Sequence, residues 1–291
     1  MVLSRKTIIG ISLSFLVLAV GIFFWLEKPF NGQSSSRTIT GFRTPESVAV
    51  GPDGKYYVSN IGAQNTPGDG SIKQIAFDGE NAIVTDFATG LNDPKGAAFF
   101  GKELYVADVN QVWKIDPSGN KSVFLTPENF PVMPVFLNDT AFDAAGNLYV
   151  SDTFKSVVFR ATPQSEVSVA LDKSKLPELG GPNGLLVDSE NNLYVVDLNT
   201  GKVWKVTPSG EATVILPNVG AGDGIAFDSQ KNIYVSDFLG GRVLKRDTKG
   251  EISIFASGFT SPADITIDTA RGLLVVPEFD ANRVTLVPLA K

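Results

Sequence analysis

Four oxygen-bearing side chains, Glu46, Asn138, Asn183 and Asp223, open equivalent segments of a sequence that repeats along most of the chain. Lys95 and Ala263 take the same position in the other two repeats. Two carboxylates and two amide oxygens brought to one point make a site for a hard cation such as Ca²⁺, which prefers oxygen ligands and accepts mixed carboxylate and carbonyl sets. Asn and Asp also suit the turn that precedes a strand. That second reading expects Ser or Gly to stand in freely at these positions, and it accounts poorly for Glu46. The chain has no His and no Cys, so a Ser-His-Asp triad, a histidine general base and a cysteine nucleophile are all excluded.

For these residues to converge, the repeats must be arranged around an axis. Each unit starts an apolar strand just after a small polar residue, turns at an Asp/Asn/Gly cluster and returns as a Leu-Tyr-Val-x-Asp strand, as in Pro182 to Asp197. The equivalent position in the returning strand is Tyr57, Tyr105, Tyr149, Tyr194, Tyr234 and Leu274, at spacings of 48, 44, 45, 40 and 40 residues. Six units of this length, each reading as four short strands, predict an all-β fold, a six-bladed β-propeller. The sixth unit has only three strands before the chain ends. Gly41-Phe42-Arg43-Thr44-Pro45 matches segments that follow a fourth strand elsewhere, Gly90 to Pro94 and Gly258 to Pro262. Arg37–Thr40 is therefore expected to be the missing strand, closing the ring beside Val284–Val287. Inner strands are expected from Gly184 in the fourth unit and from Asp264 in the sixth.

Other recurring polar residues have structural readings. Asp53, Asp143, Asp188, Asp228 and Asp268 recur at the first hairpin of their units and read as turn formers on the face opposite the ring. Asp108, Asp152, Asp197 and Asp237 end the second strands and read as hydrogen-bonding partners at the strand ends. Asp139 and Asp264 directly follow ring positions and could support the ring from behind. Trp113 and Trp204 match in their units and read as blade-packing residues. Three long segments, Ile61–Gly70, Thr126–Leu137 and Asp172–Gly181, should emerge on the ring face and form a partly covered pocket.

At the N-terminus, Arg5 and Lys6 precede Thr7 to Leu26, an uncharged run of twenty residues. It is long enough to cross a bilayer as a helix, with the basic flank cytoplasmic. A cleaved signal peptide is the alternative. The organisation expected is an anchor at 1–28, a polar tether at 29–36 and the propeller at 37–291, placed outside the cytoplasm, or secreted if the segment is cleaved. Residues 1–28 carry Arg5, Lys6 and Lys28 against Glu27, so the chain's net charge of −6 leaves about −8 on the remainder. An acidic body without a basic cluster argues against nucleic acid and anionic lipid as partners.

The ring residues and their neighbours, Asn138-Asp139 with Phe142-Asp143-Ala144-Ala145-Gly146-Asn147, then Pro182-Asn183-Gly184 and Gly222-Asp223-Gly224, resemble the SMP-30/gluconolactonase/LRE-like family. They also resemble the related paraoxonases and diisopropylfluorophosphatase. The resemblance covers roughly 37–291. It implies a metal-dependent lactonase or ester hydrolase whose Ca²⁺ (or Mn²⁺ or Zn²⁺) is held by Glu46, Asn138, Asn183 and Asp223. Asp223 would also activate water, and a small-molecule lactone or ester would be the partner.

Two departures bear on substrate. Sugar-lactone members carry an Arg two residues before the blade-three Asn, where this chain has Phe136, which suits an apolar or aromatic substrate better. Lys95 shares the ring, where it could bind a substrate carboxylate or developing oxyanion, repel the cation, or snorkel to solvent. Propellers of the NHL type act as non-catalytic binding platforms, a competing function in which the ring ion would be structural. Strictosidine-synthase-like enzymes share the fold but generally use a Glu base and fit less well. Fold alone does not choose among these.

Overall fold

The computed structural model describes residues 36–289. The expected anchor at 1–28 and all but the last residue of the tether at 29–36 lie outside the described residues. Among the described residues no helix is long and apolar enough to cross a membrane, and the one helical element is a 3₁₀ turn at Pro127–Asn129.

Six four-stranded antiparallel sheets follow one another along the chain. The expected six-bladed propeller is therefore present. The innermost strands are Pro45–Val50, Pro94–Phe100, Leu137–Phe142, Pro182–Val187, Gly222–Phe227 and Thr266–Asp268. Five begin one residue before the ring residue, so the fourth starts at Pro182, two residues earlier than expected. The sixth starts at Thr266, two residues later than expected, because Pro262 and Asp264 make only isolated bridges.

The ring closes as the repeat phase requires. Arg37–Thr40 pairs antiparallel with the last strand, from Arg37 opposite Leu286 to Thr40 opposite Arg283. The apolar packing crosses the same junction: Ile39 and Phe42 pack in one cluster with Val48, Tyr56 and Val58 of blade one and Val275, Val284 and Leu286 of blade six. The hydrogen bonds of this strand complete blade six, and the shared apolar cluster joins blade six to blade one.

Each blade interface holds its own core cluster, and the repeated tyrosine packs in all of them but the one between blades six and one. The Tyr57 ring meets Phe87 and Phe99 edge-on at 4.8 and 5.0 Å. Tyr194 meets Phe227, and Tyr234 meets Phe255, in the same way. The hydroxyls donate to the hairpin acids, Tyr57 to Asp53, Tyr194 to Asp188 and Tyr234 to Asp228, at 3.0–3.1 Å. A tyrosine suits this position because its ring fills the interface while its polar end reaches a partner at the edge. The hairpin acids also accept turn N–H groups, as Asp188 does from Glu190 and Asn192. They are turn formers, as expected. Trp204 is buried in the cluster between blades three and four, and Trp113 packs partly buried between blades one and two.

Candidate metal and substrate site at the channel mouth

The ring residue of each of the first five blades lies at an irregularity in strand pairing. Register shifts fall between Pro45 and Ser47, Pro94 and Ala97, Leu137 and Thr140, Pro182 and Leu185, and Gly222 and Ile225. A bulge frees a residue from the ladder and re-aims its side chain, which lets Glu46, Lys95, Asn138, Asn183 and Asp223 turn toward the axis. The freed backbone groups find hydroxyls. Ser151 accepts from the Asp139 N–H at 2.9 Å and donates to the Asn183 carbonyl at 2.7 Å. Ser236 accepts from the Gly224 N–H at 2.8 Å and donates to the Ala263 carbonyl at 2.7 Å. Neighbouring inner strands come so close that a Cβ on Gly184 would lie 2.1 Å from the Asp223 carbonyl oxygen. Only glycine fits there.

One acceptor per blade fastens the segment leading into each bulge. Asp108 accepts from the Asn92 and Asp93 N–H groups, Asp152 from Val135 and Phe136, Asp197 from Gly180 and Gly181, and Asp237 from Ala221. The strand-end reading of these four acids therefore stands. The set has two further members that do not match the Asp pattern: Asn60, which accepts from the Arg43 N–H, and Glu278, which accepts from Thr260.

Glu46, Lys95, Asn138, Asn183 and Asp223 all line one pocket of about 350 Å³, and all five are buried. Ala263 is buried too and is not among the pocket's lining residues. Glu46 Oε2, Asn183 Oδ1 and Asp223 Oδ1 are buried without a hydrogen-bond partner. Asn138 is oriented by a relay: the Thr153 hydroxyl donates to the Pro182 carbonyl at 2.8 Å and so accepts from Asn138 Nδ2 at 3.1 Å. With its nitrogen committed to Thr153, the Asn138 amide is left with its oxygen as the free polar atom.

Burial holds the Glu46 and Asp223 carboxyls well above the usual carboxylate range. Neighbouring negative charge adds to this, from Asp223 and Asp264 on Glu46 and from Asp264 on Asp223. Lys95 pulls Glu46 the other way. Beneath the ring, Asp139 accepts from the Leu185 and Thr140 N–H groups at 2.5 and 2.6 Å, and Asp264 accepts from the Ser47 hydroxyl at 2.5 Å. Burial raises Asp139 as well, and pushes Asp264 up to about 7. Four buried carboxyl groups this close together resist ionising side by side, and a divalent cation would offset the negative charge if they did. Among the described residues no group of three or more Asp or Glu side chains is arranged to hold a metal; the ring set is two carboxylates with two amides. Orphaned buried oxygens and the chemistry of these donors fit a hard cation.

Lys95 does not reach solvent. Its Nζ donates to the Asp93 carbonyl at 3.1 Å and lies 4.4 Å from the centre of the Phe136 ring, and burial lowers its pKa while Glu46 pulls it back up. The snorkelling reading is therefore corrected: both the carbonyl and the ring hold the ammonium inside the pocket wall.

The walls depart in part from expectation. Ile61, Gln64 and Asn65 of the first long loop and Phe136 of the second line the pocket. The third, Asp172–Gly181, does not, because Leu176 and Leu179 are drawn into the core between blades three and four. Most of the wall comes instead from residues just past the second strands: Ile61, Phe154, Leu198, Phe238 and Phe279. The signal was in the repeat: the residue after the strand-end acceptor is Ile61, Val109, Thr153, Leu198, Phe238 and Phe279. Thr153 is the polar exception, and it is the residue that orients Asn138.

No curated protein matches the sequence. Among solved structures, a catalytically inactive virginiamycin B lyase from Staphylococcus aureus, crystallised with quinupristin, superposes with a TM-score of 0.62 at 14% identity, covering 88% of this chain and 99% of that one. A structural-genomics protein of unknown function from Bacteroides thetaiotaomicron reaches 0.69 at 18% identity, covering 88% and 73%. An auxiliary nutrient binding protein from the same organism reaches 0.68 at 12% identity, covering 85% and 69%. These likenesses establish the fold alone. A family model described as SMP-30/Gluconolactonase/LRE-like region matches residues 76–270, a span of more than half the chain that contains Lys95, Asn138, Asn183 and Asp223 of the ring. On that match the chain belongs to the SMP-30/gluconolactonase/LRE-like family.

Proposed function

We propose that this protein is a divalent-metal-dependent hydrolase of lactones or related esters, with Ca²⁺ the first choice of cation and Mn²⁺ or Zn²⁺ the alternatives. The observation carrying this reading is the trio of buried, unpartnered oxygens on Glu46, Asn183 and Asp223 in one pocket. Glu46, Asn138, Asn183 and Asp223 would hold the cation, which when bound supplies Lewis-acid polarisation of the substrate carbonyl. Asp223 takes the proton from the attacking water, with its unpartnered buried oxygen in the same pocket as the other ring donors. Lys95, fixed by Asp93 and Phe136, offers its remaining N–H donors to negative charge developing on the carbonyl oxygen. With the run at 7–26 as an anchor, this hydrolysis takes place outside the cytoplasm.

The test is turnover of a lactone and aryl-ester panel by the full-length protein, with and without EDTA and with Ca²⁺, Mn²⁺ and Zn²⁺ add-back. Metal-dependent hydrolysis that disappears in Asp223→Ala is the expected result. Turnover indifferent to metal, or none on any substrate, overturns the reading. The exposed apolar side chains on the mouth-side loops, Met133, Phe154 and Leu239, favour one alternative, a platform that binds a ligand or protein without chemistry and keeps the cation as a structural plug.

A further inference from the structure

The pocket is chemically two-sided, and the division follows the blades. Blades one and two contribute Gln64, Asn65, Asp93 and Lys95, apart from the single apolar Ile61. Blades three to six contribute Phe136, Phe154, Leu198, Phe238 and Phe279 above the oxygen-donor floor. The aromatic side is ordered: Phe136 stacks on Phe154 with ring centres 4.3 Å apart, and Phe238 meets Phe279 edge-on at 5.6 Å. Phe136 is further fixed through its backbone, whose N–H donates to Asp152 at 3.2 Å and whose carbonyl accepts from Thr153.

From this arrangement we infer that the substrate presents its carbonyl to the floor and a flat apolar group, an aromatic ring above all, to the wall of blades three to six. A polyhydroxylated sugar lactone is disfavoured. Its hydroxyls would lie against four phenyl rings and a leucine that offer no hydrogen bonds, and stripping their water without replacement is costly. An aryl or aryl-alkyl group instead gains apolar burial and ring-on-ring contact with side chains already in place. Phe154 is 70% exposed, so a bound ring would also cover apolar surface that faces water.

This inference rests on the hydrolase reading for its carbonyl chemistry, but the wall can be tested without turnover. The full-length Ca²⁺-loaded protein would be titrated calorimetrically with 3,4-dihydrocoumarin's non-hydrolysable lactam counterpart and with gluconolactam. Hydrolysis of dihydrocoumarin, δ-valerolactone and glucono-δ-lactone would be followed in parallel. The aromatic lactam is expected to bind at least about tenfold more tightly than the sugar lactam, and Phe136→Ala and Phe238→Ala should each remove about tenfold of that affinity. In turnover the same variants should raise KM for dihydrocoumarin with little change in kcat. Preferred binding or turnover of the sugar compounds, or wall variants that leave aromatic affinity unchanged, overturns the inference while leaving the hydrolase reading intact. Selective binding of the aromatic lactam without any turnover supports the wall and sinks the hydrolase. Failure of both lactams to bind overturns the inference. Because Phe136 and Phe238 lie on different blades, loss of folding in one variant leaves the other as the test.

Discussion

Asp223 and Asp237 belong to the same blade, both are buried acids, and they have opposite surroundings. Asp237, at the strand end, accepts from the Ala221 and Gly240 N–H groups and from Arg242. Asp223, at the bulge, has one oxygen with no donor at all. The contrast recurs around the propeller: Glu278 accepts from Thr260, Arg283 and Thr285, while Glu46 has an orphaned oxygen. A buried acid surrounded by donors is part of the scaffold. A buried acid facing other acids without donors is costly by itself, and under the proposed function it is the kind that would bind the cation.

Removing one acid of each kind should have the largest effects. Asp223→Ala should lower kcat/KM by at least about a thousandfold and abolish Ca²⁺ binding measured calorimetrically. The companion Asp223→Asn should raise the melting temperature in EDTA at alkaline pH, because it replaces a carboxyl whose ionisation burial and Asp264 oppose. Asp237→Asn should do the reverse, costing about 1–3 kcal/mol of stability through its deprived N–H partners while leaving Ca²⁺ affinity near that of the parent. Denaturant titration and calorimetry on both variants check this, and a destabilised Asp223→Asn would undo the distinction.

A smaller effect sharpens the role of the amides. Thr153→Val removes the acceptor that fixes Asn138 and should weaken Ca²⁺ about tenfold, with Thr153→Ser restoring it; unchanged affinity in the valine variant would mean that the amide orients itself.

The smallest effect concerns pH. Glu46, Asp139, Asp223 and Asp264 keep their protons to higher pH in the folded chain than in the unfolded one, Asp264 to about 7. Their contribution to cation-free stability is therefore greatest at low pH and is lost as pH rises through those folded values. Melting in EDTA should fall by several degrees between about pH 5 and 8, at roughly 2–4 °C per kcal/mol for a domain this size, and saturating Ca²⁺ should remove much of the fall. A profile unaffected by Ca²⁺ would separate the acids from the cation.

Much of the scaffold is legible in local pattern. The Tyr spacing marks six blades, and the phase of Gly41–Pro45 reveals the closing strand. The strand-end Asp residues declare themselves by recurring where a loop must be fastened. Asn60 and Glu278 escape that reading because their roles require only an acceptor oxygen, which Asp does not monopolise. Thr153 is legible only as an exception, since its value lies in the Asn138 amide one strand away. The segment Asp172–Gly181 looks like a rim loop by length, yet Leu176 and Leu179 gain more by burial between blades than by covering a pocket.

The six repeats, the strand alternation, the closing strand and the one-per-blade ring of Glu46, Lys95, Asn138, Asn183, Asp223 and Ala263 can be read from the residues alone, because each follows from short local patterns that recur from blade to blade. Folding settles which polar atoms are left without partners, that Lys95 is held in the wall, and that phenyl rings from three blades line the pocket over the ring. Those outcomes depend on the bulges and on contacts between residues distant in sequence. Satisfaction of a buried polar group is a property of everything packed around it, and no single segment of the chain contains that information.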